Sequence, residues 1–313
     1  MRTVFMGTPE FAVPCLRELA ARTQVVGVFT QPDRRQGRGL TLAPPPVKQV
    51  AQELGLPVFQ PSRLRNPDSW QQLEELAPDL IVVVAYAQLL TAQILALPRW
   101  GCINVHASLL PAYRGGAPIH WAIINGETET GITTMLMDEG LDTGDILLQE
   151  KVTIGPNETC GELHDRLAAL GAETLAKTLT VLAEGGLKPI PQPESGASYA
   201  RNLSKQDGLI DWGRPASHIH NLVRGLNPWP VAHTQHNGKP LRIFSTRVIT
   251  GGQKEKAEPG CVAAILEDGP VIQTGEGSLL LHEVQPANRR RMSGADYVRG
   301  HGLTMGTRLG IDG

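Results

Sequence analysis

The chain is poor in cysteine, and its four, Cys15, Cys102, Cys160 and Cys261, are scattered without one C-x-x-C pair. That excludes a zinc knuckle and a disulfide framework, and it makes a reducing cytoplasm the expected compartment. No apolar run approaches the roughly 18 residues needed to cross a membrane. Met1-Arg-Thr-Val-Phe-Met6 enters a strand-like run directly, with no basic start, apolar core or small-residue cleavage site, so no secretory leader is expected. Neither G-x-G-x-x-G nor G-x-x-x-x-G-K-[ST] occurs, which removes a dinucleotide fingerprint and a P-loop. Net charge is small too, -2 from 29 Lys+Arg and 31 Asp+Glu, but it is unevenly spread. Residues 1–206 hold 17 basic and 21 acidic side chains, a net of -4, whereas 207–313 hold 12 and 10, a net of +2. Six of the nine histidines also fall in the second part. A mildly basic module after an acidic one permits a nucleic-acid partner without requiring it.

What is present is 313 residues, 41% hydrophobic and 19% charged, which suits one large globular domain or two ordinary ones, with two the expectation. The first 150 residues alternate short apolar runs with amphipathic stretches in the manner of βαβ units. Strands are expected at Thr3–Met6, Val25–Phe29, Pro57–Phe59, Leu80–Val84 and Cys102–Val105. Helices are expected at Pro9–Ala21, Pro46–Leu54, Asp68–Leu76, Thr91–Leu95 and Pro118–Ile124. Leu80-Ile-Val-Val-Val84 lacks polar alternation, as a central parallel strand covered on both faces requires. At the end of the first strand, Gly7 is expected to turn the chain, Thr8 to cap a helix and Pro9 to occupy its first turn. The expected fold class is α/β, a doubly wound and mostly parallel sheet.

A long helix is expected over Cys160–Ala183, where Leu163, Leu167, Leu170, Leu175, Leu179 and Leu182 recur at helical spacing before Gly185-Gly186. The proline-rich stretch from Lys188 to Ser198 has no periodic apolar pattern, so 188–206 reads as a linker between domains at 1–187 and 207–313. Beyond it, apolar runs at 231–233, 241–249, 261–266, 270–274 and 278–285 are separated by glycine turns. Five such strands predict a small OB-like β-barrel, preceded by a helix near Pro215–Leu226.

The stretch Gly101-Cys-Ile-Asn104-Val-His106-Ala-Ser108-Leu-Leu-Pro-Ala112 carries the chemistry. Side chains two apart on a strand share a face, so Asn104 and His106 point into one space. Pro111 ends any ladder, which puts the pair at the carboxyl end of its strand, where open α/β sheets bind ligands. Asp142 lies in the glycine-bracketed loop Gly140-Leu-Asp-Thr-Gly-Asp145, after a strand expected at Thr133–Met137. If that loop folds back to His106, the carboxylate orients the ring and stabilises its imidazolium, while the Asn104 amide donates to a developing oxyanion. The set suits acyl transfer between nitrogens. No Ser or Cys carries a nucleophile-elbow signature, so the attacking group has to come from the substrate. The segment Gln31-Pro-Asp-Arg34-Arg35-Gln-Gly37-Arg38-Gly39 is a flexible cationic loop at the same sheet edge. It is either solvated surface or a clamp for a polyanion, since arginine pairs phosphate through two hydrogen bonds.

These residues resemble the formyltransferase family, in its members that act on methionyl-tRNA. The resemblance covers nearly the whole chain and rests on several blocks. They are Val4-Phe-Met-Gly-Thr-Pro-Glu-Phe11, Gln31-Pro-Asp-Arg34 with Gly37-Arg38-Gly39, Val82-Val-Val-Ala-Tyr86 and Gly101-Cys-Ile-Asn-Val-His-Ala-Ser-Leu-Leu-Pro111. Tyr113-Arg-Gly-Gly-Ala-Pro-Ile119, Gly140-Leu-Asp-Thr-Gly-Asp-Ile146, Asp211-Trp212 and Asn227-Pro-Trp-Pro230 extend it. It implies transfer of a formyl group from 10-formyltetrahydrofolate to the α-amine of methionyl initiator tRNA, with no metal. It implies catalytic roles for Asn104, His106 and Asp142, and folate contact by Ser108, Leu109, Leu110 and Pro111. Contact with the tRNA acceptor stem falls to Arg38, with Arg34 and Arg35 beside it. Many relatives carry lysines in this loop where the present chain has Gly37-Arg-Gly-Leu-Thr-Leu42, a departure that reduces the loop's charge. A monomeric cytoplasmic chain with no membrane association is expected. Rival readings are a formyltransferase acting on a small amine, a hydrolytic deformylase, and a folate-controlled RNA-binding protein without catalysis.

Overall fold

The structure, a computed structural model, describes residues 1–36, 41–249 and 257–310. The chain divides into two compact units. The first comprises Met1–Pro118, Glu129–Thr153 and His164–Arg201, and the second Ile119–Thr128, Ile154–Leu163 and Asn202–Gly313.

In chain order the first unit opens with β1 (Arg2–Gly7), a 3-10 turn at Glu10–Ala12, α1 (Val13–Arg22) and β2 (Gln24–Phe29). A short hairpin, β3 (Arg34–Gln36) and β4 (Thr41–Ala43), precedes α2 (Pro46–Glu53), β5 (Val58–Phe59) and α3 (Pro67–Glu75). Then come β6 (Leu80–Val84), α4 (Ala92–Leu95), β7 (Cys102–His106), α5 (Pro118–Ile124), which after Pro118 belongs to the second unit, β8 (Glu129–Leu136), β9 (Ile146–Thr153) and α6 (Cys160–Ala183), which joins the first unit from His164 on. The seven-stranded sheet has the order β5-β2-β1-β6-β7-β8-β9. Strands β5 to β7 run parallel, while β8 and β9 pair antiparallel. The chain winds outward one way from β1 and then the other way from β6, so the strand order reverses between them. A reversal of this kind leaves a crevice outside the carboxyl ends of the strands, and β7 is next to it. The interior of β6 answers the apolar run: Leu80, Ile81, Val82 and Val84 are fully buried. Its neighbours on one face include Val4, Met6, Phe29, Leu73 and Ile94.

Two local expectations are corrected. Gly7 ends β1 in extended backbone instead of turning, and a Cβ there would meet the Phe5 ring at 2.7 Å and Val84 O at 2.9 Å, so the position is set by close packing. Thr8 caps no helix: its hydroxyl accepts from Gln31 N at 3.4 Å, and the intervening 3-10 turn delays the α-helix to Val13. The segment read as a linker is hydrogen-bonded to the first unit over much of its length. Ile190 exchanges both backbone bonds with Ile146, at 2.8 and 2.9 Å, and Arg114 does so with Ser198 and Ala200.

In the second unit, α7 (Ala216–Gly225) precedes β10 (Ala232–His236), β11 (Lys239–Ile249), β12 (Val262–Leu266), β13 (Gly269–Gln273) and β14 (Ser278–Pro286). They form an antiparallel OB-like sheet of order β10-β11-β14-β13-β12, to which β15 (Met292–Ser293) adds on β14. A last helix, α8 (Gly294–His301), goes beyond the elements expected from the sequence; Ser293 caps it by accepting from Asp296 N. The core includes Trp212, Ile219, Ile243, Leu279 and Leu281. Among the described residues no helix is long and apolar enough to cross a membrane.

Candidate active site

β7 presents Asn104 and His106 on one face at its carboxyl end, and both meet Asp142. Asn104 Nδ2 donates to Asp142 Oδ1 at 3.2 Å. His106 Nδ1 lies 3.7 Å from Asp142 Oδ2, an ion-pair distance that is too long for a hydrogen bond. His106 Nε2 is 3.0 Å from the Tyr113 carbonyl oxygen, and since a carbonyl only accepts, Nε2 carries the proton. Nδ1 is thereby left facing Asp142 Oδ2. At 3.7 Å the carboxylate makes no hydrogen bond with the ring. His106 is 6% exposed, so water screens this interaction weakly.

The backbone of Asp142 adopts φ 54°, in the left-handed region that Asp tolerates better than most residues. Gly115 N donates to its Oδ2 at 2.8 Å, so the carboxylate receives one hydrogen bond on each oxygen. Upstream, Asp138 Oδ1 accepts from Gly140 N at 3.0 Å and from Thr143 Oγ1 at 2.8 Å, which folds the start of the loop on itself.

The turn after β7 is held from β8 and β9. Thr133, the fully buried partner of His106 in the β7–β8 ladder, donates Oγ1–H to Ser108 O at 2.7 Å. The same hydroxyl accepts from Leu110 N at 3.1 Å and from Gln149 Nε2 at 2.9 Å, so its one donor and two acceptor positions are all used. Ser108 is fully buried and its hydroxyl donates to Ala112 O at 2.6 Å. Leu110 packs with Met135 and Ile146. Of the four residues expected to line the folate site, Ser108 and Leu110 therefore face inward, and Leu109 and Pro111 are half-buried.

Arg34 and Arg35 are exposed on β3, so the cationic loop is in part a hairpin, registered Arg34 with Ala43 and Arg35 with Leu42. Arg38 lies outside the described residues. Cys102, on β7 itself, supplies no thiolate: burial pushes its thiol up to about 12. Among the described residues no cluster of three His, Cys, Asp or Glu could hold a metal. Gly115 N, the Tyr113 carbonyl, Thr133 and Gln149 carry no signal in the sequence. The first two are backbone groups with no residue signature, and the others are ordinary strand residues until their partners are known.

A doubly wound sheet followed by an antiparallel β unit, with this polar set at the sheet edge, has the architecture of the formyl-transferring enzymes. The chain matches the Formyl transferase family over residues 1–179 and the Formyl transferase, C-terminal domain, over 202–302. It is 51% identical over 314 residues to the methionyl-tRNA formyltransferase of Geobacter sulfurreducens, covering 100% of this chain and 98% of that one. Identity to the methionyl-tRNA formyltransferase of Desulforamulus reducens is 50% over 314 residues, covering 100% and 99%. The N-formyltransferase of Helicobacter canadensis, solved with folinic acid and dTDP-3-aminofucose, shares the fold: TM-score 0.68 and 18% identity over 90% of this chain and 98% of that one. The chain belongs to the methionyl-tRNA formyltransferase family.

Proposed function

We propose that this enzyme transfers the formyl group of 10-formyltetrahydrofolate to the α-amine of methionine carried by initiator tRNA, as a cytoplasmic monomer. The observation that carries the catalytic assignment is an amide, an imidazole and a carboxylate gathered at one sheet edge without a covalent nucleophile of the protein's own. Such a site suits direct attack by an amine that arrives on the substrate.

The folate supplies a formyl carbon activated on its N10 nitrogen. Asn104 has committed one N–H to Asp142 and aims the second at the formyl oxygen, which becomes anionic as the amine adds to the carbon. His106 Nδ1 takes the proton that the amine sheds, and Asp142 Oδ2, 3.7 Å away, stabilises the imidazolium. Collapse of the tetrahedral species restores the carbonyl and breaks its bond to N10. Nδ1 returns the proton to that nitrogen, and the site ends as it began.

Leu109 and Pro111 form the wall offered to the folate, with Ser108 and Leu110 bracing it from inside. Residues 1–187 do the chemistry. Arg34, Arg35 and Arg38 engage phosphates of the acceptor stem, and 207–313, with its net charge of +2, supports the rest of the tRNA. The test is incubation of purified enzyme with formyl-labelled donor and charged initiator tRNA. Label on the methionyl-tRNA is expected, with a single-chain mass by sedimentation. Label only on added small amines, or only released as formate, would overturn the assignment.

A further inference from the structure

We infer that Gln192, in the proline-rich segment after the catalytic sheet, is a positioning residue for Asp142. The inference rests on the catalytic reading of Asp142 given above. Gln192 stands in Pro189-Ile-Pro-Gln-Pro193, where prolines on both sides fix φ and confine the glutamine to extended backbone. The segment is thus ordered at low entropic cost. Pro191 and Pro193 are exposed, whereas Gln192 is half-buried.

All four hydrogen-bonding positions of its amide are used. Nε2 donates to Asp142 O at 2.9 Å and to Gly144 O at 2.7 Å. Oε1 accepts from Arg114 Nε at 3.1 Å and Nη2 at 2.9 Å. Arg114 is itself 2% exposed, and the next residue, Gly115, donates its N–H to Asp142 Oδ2 at 2.8 Å. One side chain thereby ties the backbone of Asp142, in its left-handed turn, to the strip of chain that holds its carboxylate. Only an amide can do this: a carboxylate has no donor for the two carbonyls, and an ammonium has no acceptor for the guanidinium. The Nε2 bonds of Gln192 reach the reacting groups through Asp142, and a change that keeps the bonds to Arg114 tests that path by itself.

A double-mutant cycle separates this from a general structural role. Gln192→Glu keeps both acceptor bonds to Arg114 and removes both donors. In the parent background it should lower kcat about tenfold, the scale of one misplaced catalytic group, with KM for tRNA within about twofold. In an Asp142→Asn background the same change should cost less than about threefold, because the group it positions has already lost its charge. Gln192→Met, of similar length and without hydrogen bonds, should repeat the pattern, and melting curves identify folded variants. Equal fold-losses in both backgrounds, parent-like activity of both Gln192 variants, or failure of both to fold would overturn the proposal. Parent-like activity of Asp142→Asn by itself would instead sink the catalytic reading of Asp142, and the role of Gln192 with it.

Discussion

Replacing Asp142 with Asn removes a charge and almost no volume, which makes it the sharpest probe of the site. The carboxylate now accepts from Asn104 Nδ2 at 3.2 Å and from Gly115 N at 2.8 Å. An asparagine has one oxygen for these two donors. The backbone donor cannot turn away, so the oxygen of the introduced amide should stay with Gly115 and its NH2 should face Asn104. The Asn104 amide then has to flip to present its own oxygen, which withdraws the N–H assigned to the oxyanion. The second loss is electrostatic. A unit charge about 4 Å from an imidazolium is worth about 4 kcal/mol at an effective dielectric of 20, and it is realised only once the proton has reached Nδ1. Allowing for the residual water at the site, about 3 to 4 kcal/mol is lost from the transition state, or a fall in kcat of about 100- to 1,000-fold. KM should change little, since the resting ring makes no hydrogen bond to Asp142. Single-turnover formyl transfer by rapid quench, with saturating donor and charged tRNA, measures the step directly. A folded Asp142→Asn enzyme with kcat within about fivefold of the parent would refute the assignment of Asp142 as the charge partner of His106.

Further outcomes follow from other parts of the molecule. Converting Arg34 and Arg35 together to Ala should raise KM for tRNA, lower the salt dependence of binding by about one for each phosphate no longer neutralised, and leave kcat at saturating tRNA unaltered; an unchanged salt slope would return the hairpin to solvated surface. Gly131→Ala sets a Cβ 2.0 Å from Glu150 O and 2.6 Å from Leu109 Cδ2, so about 2 kcal/mol or more of stability should disappear in thermal melts, and a parent-like Tm would contradict the packing. His236 is buried, its Nδ1 2.7 Å from Tyr297 Oη, and burial followed by the neighbouring His301 holds its pKa below 6.5. The unfolded chain takes up that proton first, so the contribution to stability is complete above about pH 6.5 and fades below it, by at most about 1.4 kcal/mol per pH unit. His236→Gln should therefore flatten the fall of Tm between about pH 7 and 5, and parallel curves would refute this.

Much of the scaffold is legible because its signals are local. The apolar run Leu80–Val84 and the leucine repeat of Cys160–Ala183 define their elements to the residue. For β8 the apolar pattern points to a start at Thr133, four residues late. Glu129-Thr-Gly-Ile looks polar, yet Thr130, Thr133 and Thr134 are buried, and the Thr133 and Thr134 hydroxyls bond within the protein. Arg-Arg-Gln paired with Thr-Leu-Ala has no apolar alternation, so the β3–β4 hairpin reads as a loop. At the site, spacing on a strand is enough to join Asn104 to His106, and glycine bracketing is enough to suspect Asp142. The contributions of Tyr113, Gly115 and Gln192 depend on backbone groups and on bonds between distant parts of the chain, 50 residues apart for Asp142 with Gln192. Composition lends that last segment the look of a spacer because hydrogen-bond partners leave no trace in composition.

The attachment of residues 190–200 to the sheet has a consequence for the order in which these bonds can form. A chain is synthesised from its amino terminus, so Asn104, His106 and Asp142 all leave the ribosome before Gln192 and Ser198 do. At that stage the carbonyls of Asp142 and Gly144 lack their Nε2 donor, and Tyr113 N and Arg114 N lack the Ser198 acceptors they bond at 2.9 and 2.8 Å. The loop and the turn keep their bonds to each other and to β8 and β9, but lack those to the later segment. The hydrogen bonds between this strap and the Asp142 loop thus wait on a segment synthesised 50 residues after Asp142.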